Sequence, residues 1–376
     1  MKILNVIMSL DREAGGGAVN RIAELSLSLA KKNHLCTILT TKKNLKYKDK
    51  FFFKKKRIHI VDLNYFSERF IFPLKIFPWL NKNAKSFDVI HLSLNWSLIT
   101  ALCYLYLRIQ NIPFYFSAMG WLNIKGSSKF LKFLYRKYIT IPMIKNAKIC
   151  FAITQQELKD YLKFGVDKKK IALIPNGVNI NLFSKRIKKN LFKIKYKIDN
   201  RPIILFIGRI DPIKGPDILI KAFSRVSKVY KNYQLVICGN DNNFLHKLIN
   251  LTHNLELSDK VTFLGPVIGD EKISAYKSSS LMVIPSRFDT MTIVALESAA
   301  SGLQTLISNQ ANFPKTHSNN GFHFFKNNEE HLAKKIIDVL NKKDFKKINK
   351  NIKDYVRKKY SWKVIVNQFL VKFKVS

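Results

Sequence analysis

Two carboxylates eight positions apart, Asp289 and Glu297, stand in the run LMVIPSRFDTMTIVALESAASG at residues 281 to 302. The run reads as an apolar strand, a polar turn and an amphipathic helix in succession. Carboxylates accept hydrogen bonds from hydroxyls, and a turn that opens a helix presents backbone N–H groups and a positive helix end to an anion. Asp289 belongs to the turn. Glu297 is expected about two helical turns further on, at ~3.6 residues per turn, so that both acids address one side of one ligand. A ligand carrying hydroxyls and phosphate together, a sugar nucleotide, suits that set. A second set lies upstream in FIGRIDPIKG, residues 206 to 215, where Gly208, Arg209, Lys214 and Gly215 follow an apolar strand. Arginine offers a planar fork for paired phosphate oxygens and lysine a compact charge, so the pair can neutralise a diphosphate. Among 66 cations the same two residues can equally be ordinary surface charges.

The elements that position these groups follow from periodicity. Residues 2 to 8, KILNVIM, read as a buried strand. Gly15, Gly16 and Gly17 follow, and Val19, Ile22, Ala23, Leu25 and Leu29 then fall at helical spacing. Strand, glycine loop and helix open a doubly wound fold. Apolar runs at 36–41, 58–61, 89–92, 114–117, 149–153 and 171–174, mostly separated by helical stretches, predict a parallel sheet. The charge-rich run 185–200 reads as a link, after which 203–207, the helical pattern 217–229, 235–238 and 261–264 rebuild the same architecture. The predicted division is a first Rossmann-like domain over 1–184, a linker over 185–200, a second such domain over 201–355 and a terminal segment over 356–376. In that segment Trp362 to Lys374 has the spacing of a helix that docks, and it is expected to pack back on the first domain. Ligands of such sheets bind past the carboxyl ends of the strands, where both chemical sets lie. Gly302 is expected in the left-handed capping position that closes the helix after Asp289.

Composition narrows the class. A chain of 376 residues with 47% hydrophobic content can fill two cores. Its longest uncharged apolar stretch, Leu92 to Leu107, has 16 residues, short of the ~20 that cross a bilayer. The eight-residue run Ile3 to Leu10 lacks the features of a secretory leader, so the expected location is the cytoplasm. Cys36, Cys103, Cys150 and Cys238 are too scattered for a metal knuckle or a redox pair. The formal net charge of +41 divides almost evenly, +21 over residues 1–183 and +20 over 184–376. Nucleic-acid binders usually concentrate cations on one face, so the even spread points to a general lysine bias, with some attraction to anionic surfaces. The densest cluster, KKNLKYKDKFFFKKKR at 42–57, joins nine cations to an aromatic triplet. It suits an anionic lipid surface, or is a solvated lysine-rich loop. No D-x-D spacing occurs among the aspartates, so an oxygen-liganded divalent ion has no evident holder.

With these motifs in view the chain resembles a family 4 glycosyltransferase of the GT-B fold, over essentially its whole length. Gly16 and Gly17 are similar to the family's GG loop, and Pro175 to Val178 to its PNGV segment. FIGRIDPIKG resembles the loop whose arginine and lysine hold the donor diphosphate. PSRFDTMTIVALESAASG, residues 285 to 302, resembles its paired-acid motif. The resemblance implies two Rossmann-like domains facing a central cleft and a nucleoside diphosphate sugar as donor. It also implies transfer without metal or other cofactor, and retention of anomeric configuration. It implies catalytic roles for Arg209, Lys214 and Asp289, the last facing the transferred sugar, and ribose binding by Glu297. Backbone N–H groups of Thr290, Met291 and Thr292 would reach sugar or phosphate, with Gly16, Gly17 and Gly208 completing the donor site.

The sequence departs from the family pattern in three places. Asp289 stands where glutamate is usual; Ala118 and Met119 in FSAMGWLN replace a usual histidine or arginine; and Ser308 to Ala311 replace a usual glycine and glutamate. His91 and Gly120 are the candidates for the acceptor side, although a lone histidine at a strand end is commonly structural. The acceptor is expected to be a glycan, and cations and aromatics along 129–137 suggest a lipid-linked one, such as a polyprenyl diphosphate, at the inner face of the membrane. That places the activity in surface polysaccharide or lipopolysaccharide synthesis. The competing readings are a sugar-nucleotide epimerase or hydrolase on the same fold and a basic nucleic-acid-binding protein.

Overall fold

A computed structural model describes residues 1–11, 15–123, 128–188, 190–314, 320–342 and 345–374. The chain divides into two compact units, Met1–Gly177 joined by the C-terminal helix Trp362–Lys374, and Val178–Ser361.

In the first unit the strands are β1 (Lys2–Val6), β2 (Leu35–Thr41), β3 (Ile58–Leu63), a hairpin of β4 (Tyr65–Phe66) and β5 (Phe72–Pro73), β6 (Val89–Ser93), β7 (Tyr115–Ser117), β8 (Ile149–Ala152) and β9 (Ile171–Leu173). Seven of them form one parallel sheet in the order β3-β2-β1-β6-β7-β8-β9. Both faces are covered by helices, which is why its strands are continuous apolar runs rather than alternating ones. Leu4, Val6, Leu92 and Phe116, all without solvent exposure, anchor the core.

Two polar groups lie deep in this unit. Arg21, on the helix Gly16–Ala30, is 1% exposed. Its guanidinium donates to the carbonyls of Ile174 and Pro175 and to Asn176 Oδ1, each at 2.8 Å, and stacks 5.3 Å from the Phe369 ring centroid of the terminal helix. Burial lowers its pKa to about 10, which leaves it charged at neutral pH. One residue therefore ties the first helix, the PNGV segment and the terminal helix together. His91, on β6, is fully buried against Phe151, Phe369 and Phe373. Its Nδ1 lies 3.0 Å from Asn5 Oδ1 and its Nε2 2.8 Å from Ser117 Oγ. Because the amide oxygen only accepts, Nδ1 carries the proton and the hydroxyl donates to Nε2. The expectation that His91 serves the acceptor side is corrected: a strand inside a two-sided parallel sheet has no solvent face to offer it.

The second unit holds β10 (Ile203–Ile207), β11 (Gln234–Cys238), β12 (Val261–Leu264), β13 (Ser279–Ile284), β14 (Thr305–Ser308) and β15 (Phe322–Phe325), parallel in the order β12-β11-β10-β13-β14-β15. Leu205, Phe223 and Leu281 lie fully buried between its sheet and helices. Residues 185–200 are not a bare link. Phe192, on the short helix Leu191–Lys195, is fully buried, and its N–H donates to Ser274 Oγ at 3.0 Å. Tyr196 OH donates to Glu271 at 2.8 Å, and Ser274 Oγ donates to Lys188 O at 3.1 Å, so the charged run is docked along its length. Phe183 is likewise buried beside Tyr276, so the second unit begins at Val178 rather than after 184. It also keeps residues 356–361, because the helix Phe345–Tyr360 carries Val356 and Tyr360 buried and Ser361 bridges to Val178.

The buried histidine sets a pH dependence. Burial, with Arg21 adding to it, lowers the His91 pKa from 6.5 to about 3. As pH falls below 6.5 the unfolded chain takes up a proton that the folded chain refuses, so stability declines down to about pH 3. The expected slope is up to about 1.4 kcal/mol per pH unit from this residue. His91→Gln, which can still donate and accept, should flatten that decline in urea titrations run across the window. Equal slopes for both proteins would contradict it.

Candidate functional site

In the second sheet β10 and β13 are neighbours. The chain leaves β10 toward β11 and β12, then crosses to β13 and proceeds toward β14 and β15. That reversal is a topological switch point, where open α/β sheets bind ligands outside the strand ends. The loops that emerge there are 208–215 and 285–292, the two runs singled out by residue type.

The first loop is fixed by close backbone approaches. Gly208 N donates to Cys238 O at 3.0 Å, and a Cβ on Gly239 would lie 1.7 Å from Gly208 O, so only glycine fits at 239. Arg209 extends outward with a 59% exposed side chain, its nearest acid Asp211 at 3.3 Å. Asp211 itself is buried and caps the turn Pro212–Lys214 by accepting from Lys214 N at 2.9 Å. Gly215 adopts φ +68°, and a Cβ there would meet Pro285 O at 2.2 Å, which brings the two loops into contact.

Arg287 fastens them. Its backbone N–H donates to Ile213 O at 2.8 Å, its guanidinium donates to Pro212 O at 2.5 Å, and the same guanidinium grips both Asp217 oxygens at 2.8 and 2.6 Å. Asp217 occupies the first turn of the helix Pro216–Val229, a favourable place for an anion. Lys214 is held between these anchors, and its Nζ meets Asp289 Oδ2 at 2.6 Å. The other Asp289 oxygen accepts from Thr290 N at 2.8 Å, and the Asp289 carbonyl accepts from Asn312 Nδ2 at 2.8 Å. The Thr290 N–H, expected to face a ligand, donates to Asp289 here. As expected, Asp289 sits in a turn and the helix begins just past Thr292: only Ile293–Ala300 is helical, with Met291 in the left-handed region at φ +52°. Met291 buries its side chain beneath the turn. Thr292, the N-cap residue, makes no side-chain cap, so that side chain does not satisfy the first-turn N–H groups. Gly302 has the expected positive φ, 82°.

Glu297 projects from that helix toward a second cation. Its Oε2 accepts from Tyr276 OH at 2.9 Å and pairs with Lys272 Nζ at 2.5 Å, both from the helix Gly269–Ser278. Burial, with the neighbouring Glu297 charge, pushes the Tyr276 phenol well above its usual range, so it stays a donor to the carboxylate. The two acids therefore each hold a lysine, and the site is charge-balanced as it stands. A diphosphate arriving at the loop would compete with Asp289 for Lys214 and add to what the exposed Arg209 attracts.

The other predicted residues lie in the first unit. Gly16 and Gly17 open its first helix in exposed positions; Gly16 takes φ +67°, with open space where a Cβ would point. Gly120 takes φ +83°, and its N–H donates to the buried Glu157 at 2.6 Å. Glu157 also accepts from Ile153 N at 2.7 Å, and burial raises its pKa. Arg287, Asp217, Lys272, Tyr276 and Asn312 were not singled out by sequence. Arg287 and Asp217 stand inside or beside the quoted motifs, and the acid in the first turn of a helix was the available signal for Asp217. Among the described residues no cluster of three His, Cys, Asp or Glu side chains is arranged to hold a metal ion.

Comparison with known proteins places both units. The family described as "Glycosyltransferase Family 4" matches residues 15–182, and that described as "Glycosyl transferases group 1" matches residues 187–359. An uncharacterized glycosyltransferase of Methanocaldococcus jannaschii is 33% identical over 221 residues, 57% of this chain and 56% of that protein. The chain spans about half the length of the curated relatives it matches. Among solved structures, a glycosyltransferase from Rickettsia africae ESF-5 is 22% identical, with a TM-score of 0.76 over 100% of this chain and 98% of that one. Anabaena HepE in complex with UDP-glucose is 16% identical, with a TM-score of 0.79 over the whole of both chains.

The loop fastening makes a prediction. Arg287→Ala and Asp217→Ala should each cost about 1 kcal/mol, held low because the pair is partly exposed, and the double variant should cost little more than either alone. Denaturant titration of all four proteins gives the coupling. Additive losses would show that the two side chains do not act as one clamp.

Proposed function

From the premise that the chain belongs to the group 1 glycosyltransferases, with a family 4 domain preceding the group 1 domain, we propose that it transfers a sugar from a nucleoside diphosphate sugar to a glycan acceptor. The observation that carries this reading is the Lys214–Asp289 pair joining the two loops at the β10/β13 switch point, with Arg209 exposed on the first loop and Glu297 on the helix that follows the second. Solved relatives of the same fold are described in complex with UDP and UDP-glucose, which makes a uridine donor the first to test.

Charge on the leaving diphosphate is the chemical problem. Arg209 and Lys214, aided by the start of the helix Ile293–Ala300, stabilise that charge as the bond from sugar to phosphate breaks. Once Lys214 turns to phosphate, the Asp289 carboxylate is released to accept from sugar hydroxyls. Glu297, oriented through Oε2 by Tyr276 and Lys272, has Oε1 for the ribose hydroxyls. Cations and N–H groups carry the leaving-group charge without a metal, and the anomeric configuration is retained. A lipid-linked glycan, such as one on polyprenyl diphosphate in surface polysaccharide or lipopolysaccharide assembly, is the acceptor class we favour.

Assay of nucleoside diphosphate release from a donor panel, with and without lipid-extracted acceptor, tests the reading. Arg209→Ala and Lys214→Ala should each lower kcat by about a hundredfold, ~3 kcal/mol in the transition state, with thermal melting unchanged for Arg209→Ala. Chelation by EDTA should leave the rate unaltered. Donor turnover that yields only an isomerised or hydrolysed sugar would replace transfer by epimerisation or hydrolysis, and turnover insensitive to both substitutions would overturn the assignment.

A further inference from the structure

One edge of the first unit carries a feature the donor chemistry does not use. The helix Tyr47–Lys55 precedes the edge strand β3, and the hairpin β4–β5 follows it. Tyr47, 83% exposed, and Phe51 stand four residues apart on one outward face of the helix, with Lys54 and Lys55 one turn on. In the hairpin Phe66, 72% exposed, pairs directly across from Phe72, so both side chains leave the same face. Phe70 is exposed in the connecting turn.

The hairpin and the chain leading into the helix are one surface. Lys43 Nζ donates to Glu68 O and pairs with Glu68 Oε2, each at 3.1 Å, and Lys50 pairs with Asp62 at 2.6 Å. Residues 42–77 hold 11 cations and three acids. Those acids are Asp62 and Glu68, both paired with lysine, and Asp49, which is buried. The charge this edge presents is therefore strongly positive, interleaved with exposed aromatic rings.

We propose that this edge docks on an anionic lipid bilayer, with the hairpin aromatics entering the boundary between headgroups and acyl chains and the lysines meeting lipid phosphates. Aromatic side chains next to lysines, rather than lysines alone, are what that boundary takes. Base stacking fits the surface less well, since the Arg69 guanidinium lies 5.3 Å from the Phe70 ring centroid and Lys55 Nζ 5.8 Å from that of Phe51, on the ring faces a base would need. The loops that carry Arg209, Lys214 and Asp289 lie in the other unit, so vesicle binding measured without donor can fail or succeed independently of the proposed activity.

The test is co-sedimentation of the full chain with phosphatidylcholine vesicles and with equimolar phosphatidylcholine–phosphatidylglycerol vesicles at physiological salt. Wild type should pellet with the second and not the first. Phe66→Ser with Phe70→Ser and Phe72→Ser, which keeps every charge, should weaken binding roughly tenfold, as should Lys54→Glu with Lys55→Glu. Because the whole chain is basic, Lys231→Glu with Lys247→Glu in the second unit serves as the matched control and should bind nearly as wild type. Circular dichroism melting establishes that each variant is folded. Equal losses in the control and the Lys54/Lys55 variant, or no loss in the aromatic variant, would overturn the proposal. So would concentration-dependent self-association lost in the aromatic variant, or RNA binding that shows the same variant pattern in place of vesicle binding.

Discussion

The grip of Arg287 on Asp217 joins two loops that the sequence separates by about 70 residues, and most of the site's geometry depends on it. Either loop alone would be an exposed turn at a strand end. With Arg287 also bonded to Pro212 O, and its own N–H to Ile213 O, the turn that carries Lys214 is held at a set distance from the turn that carries Asp289. Backbone contact closes the same gap, because Gly215 brings its chain against Pro285 O where any side chain would collide. A bidentate guanidinium–carboxylate pair that is partly exposed contributes little to folding free energy, so its value here is geometric.

The cations near this switch point are balanced by acids: Lys214 holds Asp289 and Lys272 holds Glu297. The site is thus neutralised internally, and under the proposed reaction an arriving diphosphate would exchange one acidic partner of Lys214 for another. Under the proposed reaction that exchange also prepares Asp289 for hydroxyl recognition, so phosphate binding and sugar binding are linked through one lysine. Aspartate in place of the longer glutamate is compatible with this arrangement, since the shorter carboxylate is also the one anchored by Thr290 N.

The seven strands of the first sheet, four of the six in the second and the position of both loops at strand ends were legible in the sequence, because buried parallel strands are continuous apolar runs and glycine marks the turns that follow them. The short strands β14 and β15, four residues each, were not singled out. Arg209, Lys214, Asp289 and Glu297 were legible by type and spacing. Their partners were not. The Arg287–Asp217 and Glu297–Lys272 contacts join elements whose distance in space depends on strand order, and in a chain with 66 cations no single lysine or arginine stands out. The same excess of charge hid the docking of Phe192 within a lysine-rich run. His91 misled for a related reason: its neighbours Asn5, Ser117 and Phe369 come from other strands and from the far end of the chain, and only the assembled sheet shows that they enclose it.

Under the proposed reaction Lys214 passes from Asp289 to the donor's phosphate at the β10/β13 switch point. The most direct measurement is a crystal structure of the protein with a nucleoside diphosphate sugar bound. The diphosphate is expected over the loops 208–215 and 285–292, with Lys214 Nζ on a phosphate oxygen and Asp289 released toward the sugar. A nucleotide bound elsewhere, or bound there with the Lys214–Asp289 pair intact, would contradict it.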